Sequence, residues 1–99
     1  MVARRRLEGH PTGAQLRAAR ALLNLSVAQL AEISGLASNT IKRAEAVNGL
    51  APTTSANAKL MVTLLSAAGV VFLAPADGLG AGVRLASDDQ PVRPRRRAS

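Results

Sequence analysis

Apolar residues recur at helical spacing in four stretches of the chain and then switch to a spacing of two. Leu16, Ala19, Leu22 and Leu23 form one face of a helix predicted over about Gly13 to Leu23. Its start is marked by Thr12-Gly13-Ala14-Gln15, a capping box, with Pro11 discouraging helix upstream; Asn24 suits a left-handed end. A second helix over Val27 to Ser34 turns Val27, Leu30, Ala31 and Ile33 inward, with Ser26 as its cap and Gly35 as its stop. A third, over about Asn39 to Val47, takes Ser38 as its cap and sends Ile41 inward. After the loop Asn48-Gly49-Leu50-Ala51-Pro52, a cap at Thr53, Thr54 or Ser55 opens a fourth helix running to about Ala68. Leu60, Met61, Leu64, Leu65 and Ala68 give that helix a wide apolar stripe, and it is expected to close the core over the first three.

The period changes at Gly69. Val70 to Leu73 and Val83 to Leu85 are short, partly β-branched runs separated by Ala74 to Gly82, a pattern that predicts a β-hairpin. A lone pair of strands is marginal in water, so these must pack on the fourth helix or pair with another subunit. Val70, Val71, Phe72, Val83 and Leu85 are accordingly candidate dimer-interface residues, with Phe72, the chain's one aromatic residue, as the large anchor there or against the fourth helix. The expected fold class is mainly α: four helices followed by a short C-terminal β-hairpin in one domain over residues 12–86. Residues 1–11 and 87–99 read as basic flexible arms.

The segment Leu25 to Glu45 gives this frame a functional meaning. Its two short helices joined by a glycine turn leave Asn39, Thr40, Lys42 and Arg43 on the outward side of the second, where they offer the donors that DNA phosphates and base edges accept. Leu25, Ser26, Leu30, Ala31, Gly35, Leu36, Ser38, Ile41 and Glu45 fall in the order of an apolar residue, Ser or Thr, Leu-Ala, Gly, a small apolar residue, Ser, Ile and Glu. In this the chain resembles the Cro/C1-repressor type, or XRE family, of helix-turn-helix DNA-binding domains, over roughly Thr12 to Ala68. The resemblance implies a lambda-repressor-like domain whose third helix enters the major groove with Ser38, Asn39, Thr40 and Arg43 at base edges. Arg43 can donate twice to guanine O6 and N7, and Asn39 can pair likewise with adenine N6 and N7. Phosphate contacts are expected from the backbone N–H groups of Val27, Ala28 and Gln29, helped by the helix dipole, and from Lys42 and Arg17. The resemblance also implies an ion pair between Arg20 and Glu45, joining the first helix to the end of the third; the alternative is two independent surface charges. The chain departs from the family at Val27, where Gln is usual, leaving Gln29 as a substitute donor, and after the fourth helix, where many relatives have a fifth helix and this chain has two strands.

Charge changes this picture less than the total suggests. The net charge of +7 over 99 residues sits mostly in the ends: Arg4, Arg5 and Arg6 against Glu8 in Met1 to His10, and Arg93, Arg95, Arg96 and Arg97 with no acid in Pro91 to Ser99. The centre is nearly neutral, so DNA binding must rest on where Arg17, Arg20, Lys42 and Arg43 lie, while the arms can add phosphate contacts. The absence of cysteine and of any run of eighteen or more apolar residues argues against disulfides, a membrane span and a secretory signal, and points to the cytoplasm, at the bacterial nucleoid. Gly78-Leu79-Gly80-Ala81-Gly82 lacks the helix start and the Lys-Ser/Thr of a phosphate loop and reads as a hairpin loop. With His10 as the one histidine, neither a zinc site nor a Ser-His-Asp triad has its constituents, so no enzyme, metal or cofactor is expected.

The expected function is that of a transcriptional regulator, in the simplest case a repressor, binding double-stranded DNA as a homodimer on an inverted repeat. Pairing of hairpins across a two-fold axis would place two recognition helices about 34 Å apart, one DNA turn. The alternatives are a protein-interaction module on the same fold, such as an antiactivator or adaptor, and the antitoxin of a toxin-antitoxin pair. RNA polymerase, another regulator or a toxin would then be the protein partner.

Overall fold

The computed structural model describes Leu7 and residues 9–87. Of the arms expected over residues 1–11 and 87–99, residues 1–6, 8 and 88–99 lie outside the described residues.

Four helices precede one two-stranded antiparallel sheet. Helix α1, Gly13–Leu22, starts with the capping box in place: Gln15 N donates to Thr12 Oγ1 and Thr12 N to Gln15 Oε1, each at 2.9 Å. It ends one residue earlier than expected because Asn24 takes a left-handed φ of 56° while Leu23 turns into the core. Helix α2, Val27–Ser34, is capped by Ser26 and Gln29 in the same reciprocal way and ends at the left-handed Gly35. Helix α3 spans Ser38–Glu45 and is shifted from its expected bounds at both ends. Ala37 holds the cap position and makes no side-chain bond, so Ser38, expected as the cap, is already the first helical residue. Helix α4, Ser55–Ala67, is capped by Thr54, whose hydroxyl accepts from Asn57 N at 3.1 Å.

The core gathers one face of each helix. Leu16, Ala19, Leu23, Leu25, Leu30, Ile41, Ala44, Met61 and Leu65 are all buried, joined by Val70 and Phe72 from the sheet. Truncating a large member of such a set to Ala typically costs about 2–5 kcal/mol. Two expectations fail at its edges. Ile33, expected inward, is 54% exposed, because α2 has only two turns and commits Leu30 fully, with Val27 and Ala31 at the margin. Leu60 and Leu64 are half-buried and lie outside the packed cluster, so the inward stripe of α4 is narrower than the sequence suggested.

Strands β1, Val70–Leu73, and β2, Gly82–Leu85, pair in the register Val70 with Leu85, Val71 with Arg84, Phe72 with Val83 and Leu73 with Gly82. Opposed residues share a face of a sheet, so Val70, Phe72, Val83 and Leu85 face the helices while Val71, Leu73 and Arg84 face away. This corrects the candidate dimer interface. Val70 and Phe72 are spent inside the chain, and the five residues named for that interface do not form one surface. The hairpin packs on α1 as well as on α4. Its tip is a two-residue turn: Asp77 and Gly78 have φ of 54° and 77°, and Ala76 and Leu79 exchange backbone hydrogen bonds of 3.0 and 2.8 Å.

The strands are fixed to α1 by a side chain that the sequence reading used only as a cap. Gln15, 3% exposed, donates from Nε2 to both Leu73 O and Gly82 O at 3.0 Å, bridging the two strands where the connecting loop leaves them. The chain before α1 is also packed, which moves the end of the expected arm towards the N-terminus. Leu7 N donates to Phe72 O at 3.0 Å, Pro11 is fully buried, and Ala51 N donates to Pro11 O at 3.0 Å. Among the described residues no helix is long and apolar enough to cross a membrane.

Candidate nucleic-acid interface

Helix α3 divides sharply by burial. Ile41, Ala44 and Glu45 face inward; Asn39, Lys42 and Arg43 are exposed, with Ser38 and Thr40 half-buried between them. Residues 39, 42 and 43 are three and four apart, so their side chains emerge together along one side of two helical turns. Among the described residues the side chains of Asn39, Lys42 and Arg43 make no hydrogen bond or ion pair. They form a polar strip whose donors are free for an outside acceptor.

The far end of α3 is held from α1. Arg20 forms a two-pronged pair with Glu45, Nε to Oε2 at 2.9 Å and Nη2 to Oε1 at 2.8 Å, and its Nη1 donates to Leu25 O at 3.0 Å. One guanidinium therefore ties the chain entering α2 to the last residue of α3. The Arg20 and Glu45 side chains are 19% and 6% exposed, so most of the pair lies out of water. The hydrogen bond to Glu45 raises the Arg20 pKa above its ordinary value, outweighing the opposing effect of burial. A cation with a raised pKa stabilises the fold fully below its unfolded value and loses that contribution only as pH rises through the folded value, so the arginine side of this pair is intact throughout the neutral range.

Arg17, expected at a phosphate, points the same way. Its Nη1 donates to Glu45 O and, at 3.3 Å, to Val47 O, while Nη2 donates to Asn48 Oδ1 at 2.6 Å. Those acceptors are the unsatisfied carbonyls at the end of α3 and the chain leaving it. Gly13 completes the junction. A Cβ there would fall 2.1 Å from Val47 O and 2.7 Å from Ala44 O, and Gly13 N donates to Gly49 O at 2.8 Å. A glycine at the first position of a well-capped helix was the sequence signal for this close approach, since a better helix former would otherwise stand there.

The N-terminus of α2 is partly committed. Gln29 N donates to Ser26 Oγ at 3.0 Å, so that backbone group is not open to a phosphate, and Gln29 Oε1 accepts from Ser26 N at 2.8 Å. The Gln29 amide nitrogen and the N–H groups of Val27 and Ala28 remain as donors. The glycines at 78, 80 and 82 lie at or after the hairpin tip, and among the described residues no helix begins behind them. Compared with known protein families and with curated proteins, the chain matches none.

Proposed function

We propose that this protein is a DNA-binding transcriptional regulator that uses α2 and α3 as a helix-turn-helix and reads base edges with α3. The observation that carries the reading is the strip of Asn39, Lys42 and Arg43, exposed and unpaired on a helix whose opposite side is buried and whose end is bolted to α1. A rigidly oriented helix with free donors at fixed spacing is what reading a major groove requires. Arg43 supplies a planar, two-pronged donor and Asn39 a donor and an acceptor side by side, Ser38 and Thr40 lie at the edge of the contact, and Lys42 meets a phosphate. The donors at the start of α2 meet the backbone of the same duplex.

The mechanism is occupancy. A homodimer on an inverted repeat would block or touch RNA polymerase, and repression is the simplest outcome. The Arg-rich ends of the sequence raise affinity and salt sensitivity without choosing the site. Selection of bound duplexes from a random pool tests this directly: a symmetric enriched sequence supports the reading, and no enrichment over input overturns it.

A second reading has an observation of its own. Ile33, Val47, Leu50 and Leu79 are between 41% and 68% exposed, apolar side chains that a partner protein could cover. They would serve a protein-binding module, an antiactivator, adaptor or antitoxin, on the same helices. Failure of the duplex selection together with capture of a defined partner would support it.

A further inference from the structure

We infer that Arg17 is a positioning residue for the recognition helix, acting as the C-terminal cap that α3 lacks in its own sequence; the inference rests on the DNA-binding reading of that helix. The last carbonyls of any α-helix have no partner within the helix. Many helices satisfy them with a left-handed glycine one residue on. Helix α3 has no such residue: Ala46, at its end, is right-handed, and its own N–H returns only to Arg43 O. Nor can the basic residues of the last turn serve, because Lys42 and Arg43 face outward with the polar strip.

The cap comes instead from the first helix. Gly13, Arg17 and Arg20 lie at intervals of four and three, along one side of α1. Each meets the end of α3 differently. Gly13 lets the backbones touch at Ala44 O and Val47 O, Arg17 donates to the carbonyls of Glu45 and Val47, and Arg20 takes the Glu45 carboxylate. Asn48 Oδ1 on the Arg17 Nη2 then fixes the chain as it leaves the helix. A positive charge at this end also opposes the negative end of the helix dipole. Buried Ile41 and Ala44 turn α3 towards the core, and Arg20 holds the Glu45 carboxylate, a side-chain tether that leaves the last turn without a backbone anchor. With the Glu45 carbonyl and the chain beyond it held by Arg17 as well, the end of α3 is fixed, and with it the direction in which Asn39 and Arg43 point.

A phosphate contact at Arg17 makes opposite predictions, so one set of measurements on the full chain separates the two. Arg17→Gln should lower affinity for the selected duplex about tenfold and narrow its advantage over random duplex, while leaving the dependence of log affinity on log salt unchanged. In the free protein the amide resonances of Glu45 to Asn48 should shift. Arg17→Lys should recover only part of both effects, since an ammonium cannot span the three acceptors with a planar fork. A salt slope reduced by about one, with equal loss on selected and random duplex and no shift at Glu45 to Asn48, would overturn the inference in favour of a phosphate contact. If the wild-type chain binds no duplex, the functional reading falls, and the resonance shifts in the free protein still decide whether Arg17 holds the end of α3.

Discussion

Two sides of α1 serve neighbours that are held in contrasting ways. Towards α3, the contact is polar and directional: Gly13 against carbonyls, Arg17 on carbonyls and Asn48, Arg20 on Glu45. Towards the hairpin, it is mostly apolar, with Val70 and Phe72 buried and a single polar latch at Gln15. Apolar burial is non-directional and gives cohesion; charge-assisted hydrogen bonds with fixed geometry give orientation. The helix proposed to read DNA is the one whose orientation is specified. The hairpin, whose inward face joins the core with Val70 and Phe72, is held by packing.

Breaking the cohesive side should have the largest effect. Phe72→Ala removes the one aromatic side chain, 3% exposed between the sheet and the helices, and should lower unfolding free energy by about 3–5 kcal/mol in a urea titration. On the orientational side, Arg20→Ala orphans the largely buried Glu45 carboxylate and should cost about 3 kcal/mol. Replacing both residues with apolar ones, Arg20→Met with Glu45→Leu, should recover much of that stability without restoring binding to duplex DNA. That separation of stability from binding is the sharpest form of the contrast, and a double variant that binds as well as wild type would remove it.

Gly13→Ala comes next. Its methyl would need space now held by Val47 O and Ala44 O, which are backbone atoms and cannot swing aside, so overpacking should cost about 1–3 kcal/mol despite the better helix propensity of alanine. A loss of the same order is expected at the latch: Gln15→Leu leaves Leu73 O and Gly82 O without that donor and should cost about 1–3 kcal/mol, read as faster amide exchange in β1 and β2 ahead of α3.

Two helix starts and the first strand were legible in the sequence to the residue, whereas the cap expected at Ser38 falls on Ala37. Thr12 with Gln15 and Ser26 with Gln29 mark two helix starts by composition alone, and the change of period at Gly69 marks the first strand. Signals that depend on the tertiary arrangement were not. Ile33 has the right spacing to face inward, yet a two-turn helix meets the core along a narrower arc than the period implies. Val70 and Phe72 could not be assigned between a monomer core and a dimer interface until the sheet was placed on α1 and α4. The Arg20–Glu45 pair came from a family resemblance; no spacing rule joins residues 25 apart. Arg17 was expected at a phosphate; two of its three acceptors are backbone carbonyls, which every residue has and no sequence advertises, and the third, Asn48, lies 31 residues away. Asp77-Gly78 is the reverse case: a two-residue turn signal present in the sequence and obscured by the glycines that follow it.

The central claim is that the outward strip of α3 reads bases. Affinity of wild type and Arg43→Ala for the selected duplex, for single-base variants of each half-site and for random duplex tests it most directly. The account predicts a loss of roughly 1–3 kcal/mol on the selected duplex, discrimination lost at one base position per half-site, and little change on random duplex. Full retention of the preference, or an equal loss on every duplex, would contradict it.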